Sequence, residues 1–204
     1  ATKWDAFYDA KMERVRNYLR TNKEALIQKF HDIEFGMEWD KYCKGDELQW
    51  ELDSLNFYHS GHPLTNVKLP YDVDPITALI DNEFDGYWNI KGNKVPKMVI
   101  RRIQGTVLVK NKQKNLIVLS TPDGVIQCKI YKSQFAKYDK VVKNSDGDVV
   151  EPSFLDKGTH LMMTGILRDG IFVPKVYKDT GHEPIMKIIL TEDNSFVELV
   201  DKRG

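Results

Sequence analysis

The chain has 204 residues, 41% apolar and 29% charged, a balance that supports a buried core and excludes disorder over the whole length. No apolar run reaches bilayer-spanning length, and the first twenty residues, with Asp5, Lys11, Glu13 and Arg16, do not read as a secretory leader. The formal net charge is zero, but residues 1–94 hold 12 Lys/Arg and 17 Asp/Glu whereas residues 95–179 hold 15 and 8, so a neutral total conceals a basic middle suited to a polyanion.

The first third reads as helix. Trp4, Phe7, Tyr8, Met12, Val15, Tyr18 and Leu19 recur at three- and four-residue spacing and fall on one stripe. That stripe is expected to be core or an interface with further domains. Thr21 and Glu24 have capping-box spacing, which starts a second helix near Asn22 with Leu26, Ile27 and Phe30 as its apolar face. Gly36 breaks the pattern. A third helix begins at Gly45-Asp46, with Asp46 as N-cap, carries Leu48, Leu52, Leu55 and Tyr58, and ends at Ser60-Gly61-His62-Pro63. Residues 1–63 are thus a helical region. Residues 64–94 form a connector punctuated by Pro70, Pro75, Gly86 and Gly92, with a short helix after Asp74-Pro75.

From Lys97 the period becomes strand-like. Met98–Lys110 is predicted as one long strand bent at Gly105, because glycine inside a strand marks a bulge or bend. Leu116–Ser120 follows, then the turn Pro122-Asp123-Gly124 and the strand Val125–Tyr131, with Ile126, Cys128 and Ile130 on one face and Gln127, Lys129 and Tyr131 on the other. A short helix capped by Ser133 runs to Lys140. Asn144–Ser153 is an acidic, turn-rich excursion. The fourth strand is Thr159–Leu167 and the fifth Ile171–Tyr177, joined by Arg168-Asp169-Gly170. Five strands with a helix between the third and fourth is the order of an OB barrel. The expected fold is therefore α+β: a helical N-terminal region, then a five-stranded OB-fold barrel over residues 95–179. Residues 180–204 form a C-terminal extension with strands at Ile185–Leu190 and Phe196–Val200.

The segment Asn56-Phe57-Tyr58-His59-Ser60-Gly61-His62-Pro63-Leu64 resembles a segment of the bacterial DNA polymerase III alpha subunit, in which an acidic helix runs into Gly-Phe-Tyr-x-Ser-Gly-His-Pro just before an OB domain. Asn56 stands where that family usually has Gly. Gly105–Val109, Leu116–Gly124 and Phe135-Ala136-Lys137-Tyr138 resemble its first two OB strands and its short helix, so the likeness covers residues 46–178. The acidic excursion looks like an insertion in a divergent, phage-type member. The absence of an initial Met fits a piece of a longer chain. The resemblance implies the C-terminal part of a replicative DNA-directed DNA polymerase, acting in the cytoplasm with the remaining polymerase domains and other replisome proteins as partners, and with no membrane role.

Polymerisation needs carboxylates that hold two metal ions. In the family those lie far upstream, so this chain is expected to be no enzyme by itself and to need no cofactor or metal. His59, His62, His160 and His182 have no ligand spacing, and His62 reads as packing at a helix end. Cys43 and Cys128 form no CxxC pair, which excludes a zinc knuckle; two reduced thiols are favoured over one disulfide.

OB barrels bind single strands across the second and third strands and with the loops joining strands one to two and four to five. The candidate contacts to single-stranded DNA are Lys110, Lys112 and Lys114 in the first loop, Lys129 and Tyr131 on the third strand, Arg101 on the first, Arg168 in the four–five loop, and Lys175 with Tyr177 on the last. Ammonium groups neutralise phosphates and tyrosine stacks on bases. Two alternatives remain at this point. The barrel is a replisome scaffold that binds another protein, with the basic loop incidental, or it is an OB-type RNA-binding module attached to an enzyme.

Overall fold

The computed structural model describes residues 2–42, 47–175 and 181–202, with the side chains of residues 39–42 excepted. The chain divides into two compact units, Ala1–Asp46 and Glu47–Gly204.

The first unit contains α1 (Lys3–Thr21) and α2 (Lys23–Tyr42). α1 opens on a capping box. The Thr2 hydroxyl accepts from the Asp5 N–H at 3.3 Å while the Asp5 carboxylate accepts from the Thr2 N–H at 2.8 Å, which satisfies donors at the helix start. Thr21, expected to cap α2, is instead the last residue of α1. Asn22 makes the break, its N–H and side-chain amide both donating to the Tyr18 carbonyl at 3.0 Å. Gly36 does not interrupt α2; an interior glycine costs about 1 kcal/mol relative to alanine, which a helix of this length absorbs. The apolar stripe is real but unburied. Trp4, Phe7, Tyr8, Val15, Tyr18 and Leu19 are all exposed, and no described side chain of α1 or α2 is buried.

In the second unit α3 (Glu47–Leu55) ends earlier than expected. Asn56 adopts φ 60° and its N–H closes on the Leu52 carbonyl at 3.1 Å. The left-handed cap is therefore at Asn56 and not at Gly61, and Tyr58 and Ser60 lie in the loop beyond it. Position 56 is where the resembling family has glycine, and the backbone explains both choices, since glycine and then asparagine tolerate this conformation best. The expected N-cap Asp46 lies outside the described residues.

The barrel consists of β3 (Arg101–Asn111), β4 (Leu116–Thr121), β5 (Gly124–Lys129), β8 (His160–Arg168) and β9 (Ile171–Pro174). β3 pairs with both β4 and β8, β4 with β5, and β9 with β8 antiparallel and β5 parallel. The circuit β3-β4-β5-β9-β8-β3 is closed, which is the OB topology. β3 belongs to both halves, pairing with β8 over 101–106 and with β4 over 106–111. Gly105 sits at this handover, where a Cβ would lie 2.6 Å from the Ser120 carbonyl oxygen. The ladder bulge falls at Leu108. β3 starts at Arg101 and not at Met98, because Met98 belongs to a preceding hairpin.

Alternation divides the side chains of the strands. Ile103, Val107, Ile117, Leu119, Ile126, Cys128, Leu161, Met163 and Phe172 point inward, together with Phe135 and Tyr138 from α4 (Lys132–Asp139). Each fully buried Ile, Leu or Phe contributes about 1.5–3 kcal/mol. α4 starts one residue before the expected Ser133. Tyr131 occupies its N-cap without a side-chain hydrogen bond. Cys128 is a buried free thiol whose ionisation burial pushes well up. The short helix expected after Asp74 is one 3₁₀ turn, Ile76–Ala78, which lays Ile76 and Leu79 on the core. It is tied down by the Thr77 N–H and hydroxyl, both donating to Asp123 at 2.9 Å.

β10 (Ile185–Leu190) and β11 (Phe196–Asp201) extend the sheet beyond β8. Met162, between two inward neighbours on β8, faces the other way and joins Leu64 and Ile188 in a second core. Lys202 is 2% exposed. Its ammonium lies 3.2 Å from Glu151 and 3.1 Å from the Pro152 carbonyl, above the Phe154 ring, and so fastens the end of β11 to the segment around Glu151.

Two hairpins were not expected. β1 (Phe84–Ile90) pairs with β2 (Asn93–Met98) across Lys91 and Gly92, both at positive φ, as two-residue hairpin turns require. β6 (Val142–Lys143) and β7 (Val149–Glu151) frame the acidic excursion. Tyr177, expected on the last strand, lies outside the described residues.

Candidate nucleic-acid interface

The loop after α3 is held by side chains. The Glu51 carboxylate accepts from the His59 N–H at 2.7 Å, the Ser60 N–H at 3.0 Å and the Ser60 hydroxyl at 2.6 Å. These bonds hold its proton affinity low, the Ser60 hydroxyl most strongly. The His62 Nδ1 accepts from the Leu64 N–H at 3.1 Å, so Nε2 carries the proton and donates to the Ser120 carbonyl on β4 at 3.0 Å. Burial, with a smaller push from His160, lowers the His62 pKa to about 4. Tyr58 stacks edge-on against the ring, with centroids 4.9 Å apart. The Ser-Gly-His-Pro segment thus serves as a clip onto the barrel.

The structure sorts the expected DNA contacts into two groups. Three cations are engaged by carboxylates far along the chain, and a fourth, Arg168, lies 3.7 Å from its neighbour Asp169. Arg101 grips Glu83, with Nη2 2.9 Å from both carboxylate oxygens and Nε 3.1 Å from one of them, and its Nη1 lies 3.4 Å from Asp74. It therefore pins the base of the β1–β2 hairpin, where the Val99 N–H also donates to the Glu83 carbonyl at 3.0 Å. Lys110 sits between Asp139 at 2.5 Å and Asp156 at 2.6 Å, and Lys112 lies 2.9 Å from Asp139. Burial alone would lower the Lys110 pKa, but the two carboxylates outweigh it and raise the value. Burial likewise would raise that of Asp139, and Lys110, Lys112 and Ser153 reverse it. Arg102, on the other face of β3, donates to His182 at 3.3 Å and covers the Tyr71 ring.

The second group is exposed. Lys114 is at the tip of the β3–β4 turn and Lys129 is on the outer face of β5. Tyr131, Arg168 and Lys175 converge. The parallel pair Cys128↔Phe172 joins β5 to β9, and Tyr131 and Lys175, just beyond the ends of these two strands, line the same cleft. The β8–β9 turn then brings in Arg168. These three residues and the rings of Phe84 and Tyr87 line one cleft of about 610 Å³. The hairpin is positioned by the Asn82 N–H donating to the Leu167 carbonyl at 3.1 Å and the Gly170 N–H donating to Asp81 at 3.1 Å. No carboxylate is among the described residues that line this cleft, although Asp169 beside it lies 3.7 Å from Arg168 and accepts from the Asn82 side-chain amide at 3.3 Å.

Two proteins align with 97% of this chain at 34% identity over 204 residues: the probable DNA polymerase YorL of Bacillus subtilis (strain 168) and a DNA-directed DNA polymerase of Bacillus phage SPbeta. The chain is a homologue of part of a DNA polymerase. It spans 16% of the length of these polymerases. No family model and no solved structure matches it. A polymerase-related domain built on an OB-like barrel agrees with the resemblance first noted around Ser60–Pro63. No helix among the described residues is long and apolar enough to cross a membrane.

Sequence reasoning missed Phe84 and Tyr87. The available signal was Lys91-Gly92 between Tyr87-Trp88 and Val95, a two-residue glycine turn flanked by strand-forming residues.

Proposed function

We propose that this chain is the C-terminal, OB-containing part of a replicative DNA polymerase of the polymerase III alpha type, and that its barrel holds single-stranded template DNA without sequence preference. One observation carries the reading: in a homologue of DNA polymerases, Tyr131 at the start of α4, Arg168 at the end of β8 and Lys175 just after β9 of an OB barrel meet in one cleft whose described lining holds no carboxylate. Lys129, the last residue of β5 and two positions before Tyr131, and Lys114 add exposed positive charge to the barrel. In this reading polymerisation belongs to other parts of the polymerase in the bacterial cytoplasm, and this chain guides the strand.

The deciding experiment is fluorescence anisotropy of labelled oligo-dT at two salt concentrations. Each released counterion steepens the salt dependence, whereas an apolar protein contact is nearly indifferent to salt. Binding that weakens steeply with salt supports the reading. No binding at low salt sinks it.

A second reading, a replisome scaffold whose barrel binds another protein, draws on the pairing of Lys110 and Lys112 with Asp139 and Asp156. Those pairs offset the charge that the β3–β4 turn would otherwise offer a phosphate chain. Preference for RNA over DNA would favour an RNA-binding module instead.

A further inference from the structure

The cleft between the β1–β2 hairpin and the barrel has the composition of a nucleotide site and not of a surface groove. Phe84, Tyr87 and Tyr131 leave 50%, 61% and 57% of their surface in water. Phe84 and Tyr87 stand 5.4 Å apart, centroid to centroid, on the hairpin wall, and Tyr131 belongs to the barrel wall. Arg168, well exposed and only loosely paired with Asp169 at 3.7 Å, and Lys175 bring positive charge to the same opening. The other face of the hairpin behaves differently. There Lys97 covers Trp88 and is itself paired with Asp85 at 3.0 Å, so that face neutralises its own charge. Rings that stack on any base, with cations at phosphate reach, are the recognition chemistry of an unpaired strand. A volume of about 610 Å³ lies within the ordinary range of about 300–1,000 Å³ for small-ligand sites.

We propose that this cleft is a base-and-phosphate subsite: one unstacked base of a single strand enters between the hairpin rings and Tyr131, and its flanking phosphates lie on Arg168 and Lys175. The inference deepens the single-strand reading above and rests on it. The hairpin is then a wall of the binding site and not a spacer before the barrel. Arg101 is a positioning residue, because its fork on Glu83 fixes where that wall stands. The subsite reads the presence of a base and not its identity, since its rings stack on any base and the amide that lines it, Asn82, already donates to Asp169 at 3.3 Å.

The test compares the intact chain with Phe84→Ala/Tyr87→Ala and Tyr131→Ala on two probes, an oligo-dT of about 20 nucleotides and an abasic strand of the same length and charge. All three rings are at least half exposed, and Tyr131 makes no side-chain cap bond, so unchanged thermal melts are expected. Each variant should lose about ten-fold in affinity for oligo-dT and keep its affinity for the abasic strand. Arg168→Ala/Lys175→Ala should weaken both probes and flatten the salt dependence. Photo-crosslinking from 5-iododeoxyuridine strands to the intact chain should label Phe84, Tyr87 or Tyr131, a readout independent of the variants. Equal affinity of the intact chain for the two probes, or crosslinks confined to other surfaces, would overturn the subsite and leave the barrel reading standing. Binding of neither probe at about 50 mM salt would overturn both.

Discussion

The Nε2 of His62 lies 3.0 Å from the Ser120 carbonyl, and this bond joins the loop after α3 to the second strand of the barrel. The imidazole must be neutral to accept from Leu64 while donating to Ser120. Its pKa falls from 6.5 to about 4 on folding. The unfolded chain thus takes up a proton that the folded chain refuses between those values. The stabilisation is complete above about pH 6.5 and is lost progressively as pH falls toward 4, on the order of 3 kcal/mol in all. Urea midpoints should drop between about pH 7.5 and pH 5 in the parent chain and drop less in His62→Gln, which cannot titrate. Parallel pH profiles for the two proteins would refute the clip.

Asn56 holds φ 60° at the end of α3, so its replacements separate by backbone and not by size. Asn56→Ala should cost about 1 kcal/mol, because alanine pays the left-handed penalty in full. Asn56→Gly should stay within about 0.5 kcal/mol of the parent: relief of strain is set against a looser unfolded chain and against the bond from Lys157 at 2.7 Å. Chemical denaturation of both variants measures the difference.

Lys110 and Lys114 should part company. Lys110→Ala removes a half-buried partner from Asp139, with an expected loss of about 1–3 kcal/mol. Lys114→Ala touches no such pair and should leave the melting temperature unchanged while reducing the salt slope of DNA binding by about one ion. A Lys110/Lys112/Lys114→Ala triple variant therefore mixes folding with binding. The single variants, melted and titrated side by side, keep them apart.

Gly105 and Gly165 mark two close approaches in the barrel wall. A Cβ on Gly165 would strike the Val173 carbonyl, and one on Gly105 would meet the Ser120 carbonyl oxygen at 2.6 Å. Backbone does not yield as a side-chain tip does, so Gly105→Ala and Gly165→Ala should each cost about 1–3 kcal/mol or more. Gly147→Ala, with nothing near its Cβ, pays only for its positive φ of 92° and controls for the space effect. Calorimetry that ranks Gly147→Ala worst would refute the close-contact account.

The barrel was legible because its strands are half buried. Ile126, Cys128 and Ile130 alternate with Gln127, Lys129 and Tyr131, and the structure buries the first set and exposes the second. The β1–β2 hairpin was not legible for the opposite reason: nearly every residue on both of its faces is exposed, so no inside–outside alternation marks it. The α3 terminus was misplaced because Gly61 and Pro63 are stronger stop signals than Asn56, although the helix has already ended. At the candidate site, residue type pointed to Tyr131, Arg168 and Lys175, which do come together. It did not reveal that Lys110 is held by Asp139 and Asp156, which lie 29 and 46 positions further along the chain. Local pattern carries charge but not the long-range partner that offsets it.

The α1–α2 unit, with none of its described side chains buried, has no interior to lose. On heating, a helix pair of that kind frays from its ends in a broad helix–coil transition, because cooperativity in such segments comes from packing and not from propensity. A sharp calorimetric peak from the chain would then report the barrel alone, while the ellipticity of the two helices declined gradually beneath it.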